Sequence, residues 1–143
     1  MSALRNIKAM KLTSKTEYAL LALTDLTRNY QKEPVHIHDI AQRSDIPQRF
    51  LEQIMLLLKR GGFVKSKRGK NGGYELARSP SKITLAHVIR FFEGALAPTE
   101  SASKHFYSDT PLSHEKALVA VMRSIRDFIS KKLEQTTLAD IAK

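Results

Sequence analysis

Between Lys59 and Lys70 the chain carries six basic residues (Lys59, Arg60, Lys65, Lys67, Arg68 and Lys70) and no acidic one. Such a concentration of positive charge is an electrostatic footprint for phosphate. Gly61-Gly62 interrupts it and Gly72-Gly73 follows it, so the run reads as a short hairpin and not as a solvated helix face. Just upstream stand Gln48, Arg49, Glu52 and Gln53. At helical spacing they lie opposite Leu51, Ile54, Met55 and Leu58, whose three- and four-residue repeat faces a core. Their chemistry suits base edges in a major groove. Gln can bond adenine N6/N7, Arg can fork onto guanine O6/N7, and Glu can accept from cytosine N4. At the hairpin tip, Arg68 suits the negative potential of a narrow minor groove. Lys67, Lys70 and Asn71 stand beside it as further DNA-contact candidates.

The remaining composition narrows the class. Net charge is +10, from 24 Lys/Arg against 14 Asp/Glu. Residues 1–80 hold 15 basic and 7 acidic residues, whereas residues 81–143 hold 9 and 7, so the excess sits in the first part. There is no cysteine. That excludes disulfides, thiolate zinc sites, all-cysteine iron–sulphur clusters and thiol redox sensing. His105 and His114, with Glu100 and Asp109 nearby, lack a ligand spacing, and His36 and His38 alternate like strand neighbours; no metal site and no cofactor is assigned. No nucleophile–base pairing is visible, and the Gly-rich tip lacks the strand-to-helix setting of a nucleotide loop, so no enzyme is expected. No apolar run approaches the ~18–20 residues of a spanning helix. Residues 1–10 read as a basic tail without the apolar core of a secretory leader. A cytoplasmic protein is expected.

These candidates need positioning elements. Leu12–Tyr30 reads as a first helix with a Ser14/Glu17 capping box and an apolar stripe of Ala19, Leu20, Leu23, Leu26 and Tyr30. Lys11, Lys15 and the amides at its start are candidates for a phosphate contact. Val35 and Ile37 predict a short edge strand. His38–Arg43 predicts a short helix with Ile40 and Ala41 inward, and Ser44-Asp45-Ile46 a tight turn. Pro47 suits the first position of the next helix, which runs to Arg60 and stops at Gly61-Gly62. Two short helices joined by a few residues form a helix-turn-helix. Residues 63–67 and 74–77 are the strands of a wing. After a connector at Ser79-Pro80-Ser81, Thr84 caps a helix Leu85–Glu93 with Leu85, Val88, Ile89 and Phe92 inward, closed by Gly94. A loop follows over residues 94–112. A long helix then starts with Ser113 as N-cap and ends near Gln135. Its stripe of Leu118, Val121, Met122, Ile125, Phe128, Ile129 and Leu133 serves as core or pairs with a second copy. Thr136 or Thr137 caps a last short helix to Ala142.

At this resolution the chain resembles a known family. Leu-Thr-Ser-Lys-x-x-Tyr-Ala from Leu12, Phe-Leu-Glu-Gln-Ile from Phe50, Val-Lys-Ser-x-Arg-Gly-x-x-Gly-Gly-Tyr from Val64 and Thr-Leu-Ala-Asp-Ile from Thr137 are similar to the bacterial winged-helix regulators of the IscR/CymR/NsrR (Rrf-two) type. The resemblance implies a dimeric transcription factor, in most members a repressor. By position it implies recognition-helix contacts from Gln48, Arg49, Glu52 and Gln53 and minor-groove entry by Arg68. One branch of the family senses through a cluster held by three cysteines in the loop before the long helix; the other lacks them. Residues 94–112 contain none, so the resemblance places this chain in the cysteine-free branch, which senses otherwise; a small molecule, a metal at the histidines and a partner protein stay open as the signal.

The expected fold is mainly α. A winged helix-turn-helix covers 11–80, and a helical dimerisation and regulatory arm covers 81–143. The dimer stripe is carried by Leu118, Val121, Met122, Ile125, Phe128 and Ile129. The expected function is a sequence-specific transcriptional regulator, a homodimeric repressor that binds a near-palindromic operator in double-stranded DNA and holds no iron–sulphur cluster. A winged-helix module docking an acidic protein is the competing expectation, in which DNA affinity is incidental.

Overall fold

The computed structural model describes residues 12–94, 102 and 108–143. Six α-helices and one two-stranded hairpin succeed one another among them: α1 Ser14–Arg28, α2 Ile37–Ser44, α3 Gln48–Arg60, β1 Val64–Lys67, β2 Gly73–Leu76, a single 3-10 turn Pro80–Lys82, α4 Leu85–Glu93, α5 Lys116–Gln135 and α6 Leu138–Ile141. The mainly helical fold with a hairpin wing is the one expected. No described helix is long and apolar enough to cross a membrane.

One hydrophobic cluster organises the winged part. It takes Ala19, Leu23 and Leu26 from α1, Ile40 and Ala41 from α2, Leu51, Ile54, Met55 and Leu58 from α3, Phe63, Val64 and Leu76 from the hairpin. It also takes Ile83, Val88 and Leu138 from the second half of the chain. The α1 and α3 stripes read from spacing are the ones that pack here, because helical period decides which side chains can reach a common centre.

Several local expectations change. α1 is capped not by Ser14 but by Thr13, whose hydroxyl accepts the Thr16 amide at 3.4 Å. The carboxylate that completes the cap comes from Glu93, not Glu17. Glu93 Oε1 accepts from the Thr13 amide at 2.8 Å, the Thr13 hydroxyl at 2.8 Å and the Thr16 hydroxyl at 2.6 Å. A helix start satisfied from 80 residues away carries no local sequence signature. Ile37 is not in a strand; it opens α2. Val35 alone pairs, exchanging two 2.8 Å bonds with Tyr74. His36 and His38 are likewise not strand neighbours but the N-cap and first turn of α2. Pro47 sits at the N-cap of α3, one residue before the expected position. Ser113 does not cap α5: its hydroxyl accepts the Thr110 amide at 2.8 Å and closes a preceding turn, and the helix begins at Lys116.

The last segments are tied back. Arg90 on α4 donates to Ser130 at 3.1 Å and Glu134 at 2.6 Å on α5. Leu85 donates to Thr136 and Leu138 to Ile83, both at 2.9 Å. Thr137 and Asp140 form a capping box, and the Thr137 amide and hydroxyl hold the Asp140 carboxyl below its ordinary range. Leu138 is thereby fully buried against the first half of the chain.

Candidate nucleic-acid interface

The turn between α2 and α3 sets the angle of the candidate reading helix. Asp45 takes the left-handed conformation (φ 52°, ψ 48°), which Asp tolerates better than most residues. Ile46 then donates to Ala41 at 2.9 Å and buries its side chain. This locks α3 across α2 with its first turn facing solvent. Gln48, Arg49, Glu52 and Gln53 are all exposed, while Leu51 and Met55 are fully buried on the other side. Gln48 sits between two neighbours: His38 Nδ1 lies 3.4 Å from its Oε1, and its amide donates to Glu52 at 3.5 Å. Arg49 rests its guanidinium 5.1 Å from the Phe50 ring centre. His38 stands beside Gln48 only because α2 and α3 cross there.

The wing is aimed from the same helix. Phe63, fully buried, turns the chain from α3 into β1. β1 and β2 pair antiparallel with Val64 opposite Leu76, Lys65 opposite Glu75, Ser66 opposite Tyr74 and Lys67 opposite Gly73. Lys59 near the end of α3 donates to Ser66 at 2.9 Å, fastening wing to helix. Gly73 has φ +145°, and a Cβ there would lie 2.6 Å from the Val35 carbonyl oxygen. Only glycine lets the wing dock on Val35.

Charge at the wing is not uniform. Lys65 and Lys67 both reach Glu75 at 3.5 Å. A shared, exposed pair of this kind is weak and exchangeable. Arg68 and Lys70 at the tip make no ion pair among the described residues, and Asn71 is exposed beside them. All eight residues expected from the sequence thus lie on solvent-facing positions of α3 or the wing. Lys15 is also exposed, whereas Lys11 lies outside the described residues. The amide of Thr13, ahead of α1, is already taken by the Glu93 carboxylate, which disfavours a phosphate at that end.

Two supporting features were not legible in the sequence. Asp25 on α1 is buried, and Arg43 on α2 grips it with two bonds of 2.8 and 2.9 Å. That bidentate bond raises the Arg43 pKa and ties the first helix of the motif to the scaffold. Behind α3, Phe63 meets His87 edge-on at 5.0 Å and Phe91 at 5.5 Å, with Arg78 5.2 Å above its ring. Partial burial, with Arg78 and Arg90 near, lowers the His87 pKa.

On α5 the expected stripe is largely uncovered. Leu118, Val121 and Phe128 are 45%, 54% and 76% exposed, and Met122, Ile125 and Ile129 are half-buried. Within this chain α5 buries only Val119 and Ser130.

A family model described as an iron-dependent transcriptional regulator, Rrf2, matches residues 12–143. The chain belongs to the Rrf2 family. The HTH-type transcriptional regulator CymR of Bacillus subtilis is 33% identical over 133 residues, covering 93% of this chain and 90% of that protein. IscR of Vibrio atlanticus is 34% identical over 134 residues, covering 94% of this chain and 76% of that protein. Among solved structures, CymR, the global cysteine regulator of B. subtilis, aligns with a TM-score of 0.74 at 30% identity, covering 92% of this chain and 95% of that one. IscR of T. potens aligns with a TM-score of 0.73 at 32% identity, covering 92% and 85%. The Rrf2 protein described here is therefore a winged-helix transcription regulator and not an enzyme. Thiolate-held iron does not fit it, since the chain has no cysteine. Nor do three potential ligands converge among the described residues. His114 and Asp109 are exposed, while Glu100, His105 and most of the expected sensing loop lie outside the described residues.

Proposed function

We propose that this Rrf2 regulator is a cytoplasmic homodimeric repressor that binds a near-palindromic DNA operator. The observation that carries the reading is the shared exposure of the α3 polar face and the basic wing tip, neither of which has a packing role. In this reading Gln48, Arg49, Glu52 and Gln53 read base edges in the major groove. Arg68 enters the minor groove, while Lys67, Lys70 and Asn71 hold the backbone. The uncovered stripe on α5 pairs two copies, so half-sites fall about one helical turn (~34 Å) or a multiple apart. The signal is a small molecule or a partner protein acting on the arm, not an iron–sulphur cluster.

Selection of binding sites from random duplexes with the purified full-length protein tests the proposal. A two-fold symmetric motif, bound with a log–log salt slope of about −0.9 per phosphate contacted, is the expected result. No enriched motif and a flat salt response would sink it and favour protein docking.

A further inference from the structure

Leu56 is a large apolar side chain on the polar side of its helix. It is 56% exposed. It follows Gln53 by three residues, Glu52 by four and Arg49 by seven, so all four lie along one face of α3. The core partners of that helix, Leu51, Ile54, Met55 and Leu58, point the other way. A scattered surface leucine needs no explanation. What singles this one out is its company: it interrupts a face otherwise made of Arg49, Glu52, Gln53 and, one turn later, exposed Arg60. The other exposed apolar residue of α3, Phe50, precedes half-buried Leu57 by seven and so lies toward the border of the core, not on this face.

In the major groove only thymine presents an apolar group, its C5 methyl, and apolar side chains recognise it by contact. We propose that Leu56 is a specificity-determining residue that packs on a thymine C5 methyl in each operator half-site. Leu56 lies about 6 Å further along the helix axis than Glu52, so the thymine flanks the base that Glu52 reads. The contact removes a methyl group and part of a leucine from water together, and it favours thymine over cytosine or uracil at that position. This inference rests on the DNA-binding reading above and specifies what its reading helix recognises.

Replacing thymine by deoxyuridine deletes the methyl and nothing else. Each thymine of the selected operator is replaced in turn, and binding is measured for the full-length wild type, Leu56→Ala and Leu56→Gln. The expected result is one thymine per half-site at which the wild type loses about fourfold in affinity, the equivalent of one buried methyl group. At that position both variants bind the two duplexes equally. Because the comparison is a ratio within each protein, any change in folding or overall affinity cancels. The proposal is overturned if no thymine shows a methyl effect that depends on residue 56. A selected motif that loses definition on Glu52→Ala yet shows no such thymine would remove Leu56 alone and leave the regulator reading standing. Failure to select any motif would remove both.

Discussion

In the proposed operator complex, specificity and affinity separate residue by residue. Glu52 and Gln53 are exposed on α3 and carry no charge partner from the wing, so their truncation costs contacts and little stability. Glu52→Ala is expected to lower discrimination at one base pair by about tenfold, leaving binding to unrelated duplexes unchanged, as read by competition binding. Arg68→Ala is expected to weaken the operator complex by about tenfold and, because a dimer loses two wing-tip charges, to flatten the salt slope by up to about two units. Arg43 acts differently, through position. Its two bonds satisfy a buried Asp25 carboxylate, and Arg43→Ala leaves that carboxylate without its cation. A loss of about 2 kcal/mol in urea unfolding is expected, with a weaker operator complex as the consequence of a loosened α2.

At the scale of elements, orientation rests on a few joints. The wing meets the body through Val35 and Tyr74, and that joint requires the Gly73 backbone. Gly73→Ala is expected to cost about 2 kcal/mol of thermal stability, because the left-handed backbone and the Val35 carbonyl both resist a methyl group. DNA affinity should fall with it, since Arg68 and Lys70 ride on the hairpin. Between α3 and α4 the joint is aromatic, with His87 edge-on to Phe63. His87 is held below its ordinary pKa by partial burial and by Arg78 and Arg90. The unfolded chain therefore takes up the proton first as pH falls, and stability is lost on the acid side of the ordinary imidazole value of about 6.5. Thermal denaturation between pH 7.5 and 5 is expected to show a shallower acid loss for His87→Gln than for the wild type.

For the whole molecule the question is what covers α5. Phe128, 76% exposed on a helix that buries little within its own chain, has the character of an interface residue. Phe128→Glu is expected to give a folded monomer by sedimentation. Its operator affinity should fall by roughly a hundredfold, because two half-sites no longer bind as one unit. Glu93 gives the same scale a second feature: the last residue of α4, next to the expected sensing loop, caps the first helix of the reading domain.

The sequence by itself determined the class and the face. Periodicity at three and four residues assigned Leu51, Ile54, Met55 and Leu58 to the core and left Gln48, Arg49, Glu52 and Gln53 outside, because a helix allows no other division of those side chains. Glycine pairs and the acid-free basic run marked the wing, since backbone freedom and charge are local properties. Tertiary structure decided the rest: the Glu93 cap, the Asp25–Arg43 clamp, the single Val35–Tyr74 bridge and the late start of α5. Each joins residues distant in the chain, or follows from which of two nearby hydroxyls or amides the folded geometry leaves unsatisfied. Local propensity sees only neighbours, so it placed a capping box at Ser14 and an N-cap at Ser113. The folded chain satisfied one helix start from α4 and used the second hydroxyl to close a turn.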